Sequence, residues 1–195
     1  MSSTNDRPTG RPRTIDPDAV SLVALRLFDD QGFDAVSMDD VATAAGVSRR
    51  SVFRLFPTKG SLVWGGFDEF IDRVGTALRV LPADVDGDTA VCAALVEASA
   101  FPSDDQDVTR RRLLVIDRNP SLASEGAAQH SALTQVLREG IADRDGTDHE
   151  DLGVTVRAAA RAAEATAALT WWARNGTEPP EAVVARALGG SVSRD

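Results

Sequence analysis

Four cations stand together in a stretch without acids. Arg49, Arg50, Arg54 and Lys59 lie between Val41 and Phe67, a 27-residue window containing neither Asp nor Glu. Guanidinium groups pair bidentately with guanine edges or phosphate oxygens, and an ammonium meets phosphate as a point charge. That is the chemistry of a nucleic-acid contact. It occurs on an acidic chain, whose 195 residues carry a net charge of −9. Residues 1–60 balance, with 8 Arg/Lys against 8 Asp/Glu, and the acidic excess falls in residues 61–195, with 13 against 22. A basic surface on an acidic body attracts DNA to one place and repels it elsewhere.

The elements that must hold these cations are helices. Apolar residues recur at helical spacing, period-2 alternation is scarce and there is no Tyr, so an all-α chain is expected. Asp16 as N-cap and Pro17 at the first helical position open a helix with an apolar face of Val20, Val23, Ala24, Leu27 and Phe28, stopped by Gly32. Ser37 caps a short second helix, with Asp40 at capping-box spacing, and Gly46 turns the chain. Ser48 caps a third helix running to about Leu55, where Pro57 ends it. Two short helices across a glycine turn, the second one basic, have the layout of a helix-turn-helix. Arg49, Arg50 and Ser51 then project from the first turn of the reading helix, while Val52 and Phe56 turn inward and Val47 plugs the corner. Lys59, the sole lysine, is expected in the first turn of the next helix, where the helix dipole disfavours a cation and a bound phosphate would account for it. Ser37 offers a second helix start to phosphate. Residues 1–14 form a Pro/Gly/Ser-rich arm with Arg7, Arg11 and Arg13, suited to the minor groove or the DNA backbone.

The stretch SMDDVATAAGVSRRSVFRLFPTKGSLV, with ALRLFDDQGFDAVS upstream, resembles the DNA-binding region of TetR-family bacterial regulators. The shared positions are Ser37, Val41, Ala42, Ala45, Gly46, Val47, Ser48, Val52, Phe53, Phe56, Lys59 and Leu62, with the Gly32-Phe33 turn before them. WGGFDEFI, after the lysine, is similar to a subgroup associated with mycofactocin-type redox gene clusters. The resemblance covers about residues 15–62. It implies a three-helix helix-turn-helix domain over 15–60 and a larger helical effector-binding and dimerisation domain over 61–195, about nine helices in all. The DNA-contacting set it implies is Ser37, Ser48, Arg49, Arg50, Ser51, Phe53, Arg54 and Lys59, with Arg13 from the arm. Relatives often carry Tyr at position 53 and His or Tyr at position 55. Phe53 and Leu55 cannot bond phosphate, which shifts that work to Lys59, Arg54, helix-end amides and the arm.

Beyond the DNA-contacting region, a fourth helix is expected from near Thr58 to just before Pro82. Others follow at about 88–100, 104–118, 121–143, 149–175 and 179–188, separated by VDGD, FPSDD, RNP, DRDGTD and NGTEPP. Expected effector-pocket walls are Trp64, Phe67, Phe70, Ile71, Leu78, Leu95, Phe101, Leu113, Ile116, Leu133 and Leu137. The expected dimer seam is Ala168, Trp171, Trp172, Val183, Val184 and Ala187, where small residues permit close approach and aromatics anchor. Arg110, Arg111, Arg112 and Arg118 read either as a solvated face paired with Asp104, Asp105 and Asp107, or as an anion site at a pocket mouth for an acyl-CoA or similar amphipathic acid.

Nothing marks an enzyme. G-x-S-x-G, C-x-x-C, H-E-x-x-H, P-loop and G-x-G-x-x-G patterns do not occur, so no cofactor and no metal are expected. Cys92, the one cysteine, reads as a buried structural thiol, and His130 and His149 as a helix-face and a loop residue. No apolar run approaches the ~18–20 residues of a membrane span, and a cytoplasmic location is expected. The reading is a ligand-responsive regulator, a repressor, binding a palindromic double-stranded DNA operator as a homodimer and released by a small hydrophobic or amphipathic effector that moves the long helix starting near Lys59. The alternative is a helical acyl- or lipid-binding protein whose DNA binding is secondary.

Overall fold

The computed structural model describes residues 15–189, with Asp104 described in its backbone only; Arg13 and the rest of the arm lie outside the described residues. Eleven helices make up the described chain: α1 (Pro17–Gln31), α2 (Met38–Ala44), α3 (Arg49–Leu55), α4 (Ser61–Trp64), α5 (Phe67–Val80), α6 (Gly87–Ala98), α7 (Ser103–Arg118), α8 (Pro120–Glu125), α9 (Ala127–Asp145), α10 (Leu152–Asn175) and α11 (Pro180–Ala187). The three N-terminal helices begin at the expected caps. Asp16 Oδ1 accepts from the Asp18 amide at 3.0 Å. Ser37 and Asp40 close a reciprocal capping box, and Ser48 Oγ accepts from the Ser51 amide at 3.2 Å.

Eleven helices replace the expected nine because two long ones are broken at glycines. The helix expected from Thr58 to Pro82 starts at Ser61 and is interrupted at Gly65-Gly66, where Gly66 has a φ of 81° and serves as N-cap of α5. A left-handed residue there would strain any side chain. The helix expected over 121–143 is interrupted at Gly126. A Cβ on Gly126 would stand 1.9 Å from Cζ2 of Trp64, so only glycine admits the indole. Trp64 is anchored in that notch by Nε1 donating to the Leu122 carbonyl at 3.1 Å. Both breaks therefore flank the same tryptophan.

Two apolar cores result. The first gathers Val20, Ala24, Leu25, Phe28, Val36, Val41, Val52, Phe56, Leu62 and Val63, and it is completed by Val115 of α7 and Leu122 of α8. This explains why the buried face of α1 is wider than its sequence suggests. Leu25 and Ser21 are buried while Val23 and Leu27 are only half-buried, because α1 packs on α7 and α4 as well as on α2. The second core surrounds α6, whose Ala90, Val91, Ala94, Leu95 and Ala98 are almost wholly enclosed by α5, α9, α10 and α11. Its alanines let four helices approach one.

Helix α7 belongs to both halves. Arg110, Arg111 and Arg112 are consecutive, and residues one apart on a helix point ~100° apart, so they do not form one face. Arg110 donates to the Ala173 and Gly176 carbonyls at the end of α10 and lies 4.5 Å from the Trp172 ring centroid. Arg111 pairs with Asp29 of α1, which Arg118 also reaches at 3.3 Å. Arg112 turns inward. The expected pairing of this cluster with Asp105 and Asp107 is not formed; α10, α1 and the interior take the three arginines instead. Asp117, also on α7, pairs with Arg174 of α10.

Trp172 stands where these ties meet. It is 1% exposed, donates from Nε1 to the Glu178 carbonyl at 3.1 Å, and packs beside Phe101 at 6.4 Å between centroids. Trp172→Ala is expected to lower the unfolding free energy by about 3–5 kcal/mol, read as a reduced urea midpoint. A loss under about 1 kcal/mol, within the range of ordinary surface changes, would mean that this junction is not part of the cooperative core.

Candidate nucleic-acid interface and interior cavity

The helix-turn-helix presents its polar residues outward. Arg49, Arg50, Phe53 and Arg54 are all exposed on α3, and Val52 is fully buried behind them. Arg50 and Arg54 make no ion pair among the described residues, so their guanidinium groups are unengaged. Arg49 is held in place: Nη1 reaches Asp39 at 2.8 Å and the guanidinium lies 5.4 Å from the Phe53 ring centroid. Phe53 is 40% exposed. An aromatic ring open to water on a reading helix suits contact with a thymine methyl rather than a phosphate.

Four of the expected DNA-contacting residues have work within the fold. Ser37 Oγ donates to Asp40 Oδ2 at 2.7 Å, and the Ser37 amide donates to the same oxygen at 2.8 Å. These bonds hold the Asp40 carboxyl below its ordinary pKa and place a carboxylate at that helix start. Ser48 and Ser51 share a hydroxyl–hydroxyl bond of 2.8 Å. Lys59 departs furthest from expectation. It sits in the turn between α3 and α4 rather than in a helix, so the dipole argument does not apply. Its Nζ donates to the carbonyls of Phe33 at 2.7 Å and Val36 at 3.0 Å, and it rides 4.2 Å from the Phe33 ring centroid. Folding itself thus selects a cation at position 59: the ammonium clamps the α1–α2 connection to the exit of the reading helix. One N–H of its three remains for a phosphate.

Beneath this unit lies a cavity of about 490 Å³, within the usual size of small-molecule sites. Seven of the eleven expected wall residues line it: Trp64, Phe67, Phe70, Phe101, Leu113, Ile116 and Leu133. Ile71, Leu78, Leu95 and Leu137 do not. Leu95 and Leu137 are fully enclosed between helices, and Ile71 and Leu78 pack on the same core from α5. The wall is an aromatic run, with Trp64 to Phe67 at 5.6 Å, Phe67 to Phe70 at 6.0 Å and Phe70 to Phe101 at 6.3 Å between centroids. His130 belongs to it too, with its ring 5.6 Å from those of both Trp64 and Phe67. Its Nδ1 faces the Gly126 carbonyl at 3.0 Å, so Nδ1 carries the proton. A solitary histidine on a helix gave no sign of this, because the contact depends on the break at Gly126.

Of the arginine cluster read as a possible anion site, Arg112 lines the cavity, with Asp105 beside it; Asp18 of α1, Glu69 and Arg73 of α5, Thr109 of α7, and Thr166 and Thr170 of α10 had no such signal in the sequence. Burial pushes the Arg73 and Arg112 guanidinium groups below their ordinary pKa, with distant acids opposing. Of the expected seam residues, Ala168, Trp172, Val183 and Val184 are buried inside the chain itself, and Trp171 and Ala187 are exposed. Cys92 is half-buried, with its thiol pushed up by desolvation. Among the described residues no group of three His, Cys, Asp or Glu is arranged to hold a metal.

A glycine-turned pair of helices with a free basic face, joined through one strut to a helical body that encloses a cavity, defines a two-part regulator. Comparison with known proteins agrees. Residues 22–63 match the TetR-family bacterial regulatory protein profile, and residues 88–192 match the MftR C-terminal domain profile. A Mycobacterium tuberculosis protein assigned as the mycofactocin biosynthesis transcriptional regulator MftR is 31% identical over 137 residues, covering 70% of this chain and 69% of that one. The M. tuberculosis regulator EthR is 32% identical over 83 residues, 41% of this chain and 37% of that one. In fold, the chain is similar to FadR of Bacillus halodurans, at a TM-score of 0.64 and 14% identity over 89% and 96% of the two chains. It is also similar to Thermus thermophilus FadR in complex with lauroyl-CoA, at a TM-score of 0.57 and 16% identity over 92% and 97%. The chain belongs to the TetR family of bacterial transcriptional regulators and carries the MftR-type C-terminal domain.

Lys59→Met is expected to destabilise the free protein by roughly 1–3 kcal/mol, because two carbonyls lose a charged donor. Urea unfolding without DNA measures this, and an unchanged midpoint would return Lys59 to a role in DNA contact alone.

Proposed function

We propose that the chain is a ligand-responsive repressor that binds a palindromic operator as a homodimer and leaves it when a small hydrophobic or amphipathic effector fills the cavity. The observation carrying this reading is the position of the cavity. Its wall includes Asp18 of α1, Gly66 at the break between α4 and α5, and five residues of α7 from Val108 to Ile116. An occupant therefore touches the reading unit and the body at once. It shifts the balance between two arrangements to the extent that it binds them unequally.

DNA contact is assigned to Arg49, Arg50, Phe53 and Arg54, with Ser48, Ser51 and the remaining donor of Lys59 at the phosphates. Dimerisation is assigned to the outer face of α10. Leu152, Val156, Ala160, Ala163, Ala167 and Trp171 follow one another at helical spacing and are all exposed, Leu152 at 77%, Val156 at 56% and Trp171 at 47%. A twenty-residue apolar stripe on the longest helix suits a second copy of the same helix, and two half-sites on a duplex require two reading helices. Among the described residues no helix is long and apolar enough to cross a membrane, and the reading places the protein in the cytoplasm with its DNA. That Thermus thermophilus FadR was solved with lauroyl-CoA supports an acyl-type effector for this fold.

The chain is expected to retard a duplex from upstream of its own gene, with affinity falling steeply as salt rises. Arg50→Ala and Arg54→Ala should each weaken the complex, and a substitution at a phosphate contact should reduce the salt slope by about 1. Undiminished binding by an Arg50→Ala/Arg54→Ala double variant would overturn the DNA assignment and leave the effector-binding alternative. Ala163→Glu should convert the dimer to monomer in analytical ultracentrifugation; a dimer that persists would place the seam elsewhere.

A further inference from the structure

Two arginines enter the cavity wall from different helices and find nothing to bind. Arg73 of α5 lies 4.8 Å from the Phe101 ring centroid and 5.9 Å from that of Phe70. Arg112 of α7 lies against the α4–α5 break, with Nη1 2.7 Å from where a Cβ on Gly66 would stand. The Nε atoms of both are buried without a hydrogen-bond partner. Neither guanidinium forms an ion pair among the described residues. The acids that face them are Asp18, Glu69 and Asp105, all exposed at the rim and acting only at a distance. A fourth, Asp117, is taken by Arg174. Arg112 is largely withdrawn from water and Arg73 half-buried; an unpaired buried cation is costly, and a hydrogen-bonding anion relieves that cost. The same wall also carries Phe67, Phe70, Phe101 and Leu133, an apolar and aromatic surface.

We propose that Arg73 and Arg112 form a carboxylate subsite inside the cavity, so that the effector is an amphipathic acid whose free carboxylate sits within the wall and whose apolar chain lies along the aromatic run. The inference rests on the cavity being the effector site and specifies its chemistry. A free carboxylate is what separates such an acid from its esters and thioesters, which present a neutral carbonyl at the same place. Arg112 also fixes how the signal leaves the cavity. Its guanidinium occupies the space beside Gly66, the left-handed residue that joins α4 to α5. A carboxylate that draws Arg112 toward itself changes what supports that junction, and α4 follows directly on the turn holding Lys59.

The test titrates full-length protein with dodecanoate, methyl dodecanoate and dodecanoyl-CoA, following tryptophan fluorescence and operator release. Wild type is expected to bind the acid about tenfold or more tighter than the methyl ester, the size of a charge-assisted hydrogen bond. Arg73→Gln and Arg112→Gln should each remove that preference, lowering acid affinity toward that of the ester. Arg112→Lys keeps the charge and should retain the preference, which guards against an Arg112→Gln variant that does not fold. Equal affinity for acid and ester in wild type, an acid preference that survives both glutamine variants, or no binding of any probe overturns the subsite. If ester or thioester releases operator as well as the acid does, the subsite fails and the effector reading stands. If Thr166→Phe, which narrows the cavity, leaves probe binding intact, the effector reading fails with it.

Discussion

The pitch of a single helix governs how the two halves of this protein meet. Arg110, Arg111 and Arg112 must leave α7 in three directions, and each direction ends on a different part of the molecule. Arg110 closes the end of α10, Arg111 holds Asp29 on α1, and Arg112 enters the cavity beside Gly66. Val115 and Leu122 then complete the core of the reading unit from below. No flexible tether separates DNA reading from effector sensing. The strut that fastens the two is also a wall of the cavity, so a change in the wall is a change in the fastening.

The reading unit is stiffened by the same economy. Ser37, Ser48, Ser51 and Lys59 all hold local structure with the groups that a DNA contact would use. Lys59 brings a full charge to two part-buried carbonyls, and the serines close local caps. They leave Arg50, Arg54 and the exposed ring of Phe53 as the uncommitted surface. Under the proposed DNA assignment, operator choice falls on a narrow set of side chains presented by a rigid turn.

The reading unit was legible in the sequence because its determinants are local. Caps, the Gly46 turn and the inward spacing of Val52 and Phe56 act over a few residues, and the folded chain has them as expected. The aromatic wall was largely legible as well, since Phe67 and Phe70 lie on one face of one helix. What escaped depends on contacts far apart in the chain. The Lys59 clamp needs carbonyls 23 and 26 residues away. The breaks at Gly65-Gly66 and Gly126 exist because one indole must seat against the other end of the fold, and a hydrophobic period continues across them undisturbed. Trp172 was placed at a partner's surface because a large aromatic on an alanine-rich helix suits an interface. Arg110 and Glu178 enclose it within its own chain. The arginine run divides for a simpler reason: consecutive residues on a helix point apart, so only Arg112 of the three reaches the cavity wall.

The central claim is that the DNA face and the cavity wall are one mechanical unit, and linkage makes that claim reciprocal: if an effector alters DNA binding, DNA must alter the effector site. Amide hydrogen exchange, with and without operator duplex, measures this directly and requires no knowledge of the effector. Altered protection on DNA binding is expected at the α4–α5 break and along α7, from Val108 to Ile116, as well as at α2 and α3. Changes confined to α2 and α3, with α7 and the Gly65-Gly66 junction unaffected, would contradict it.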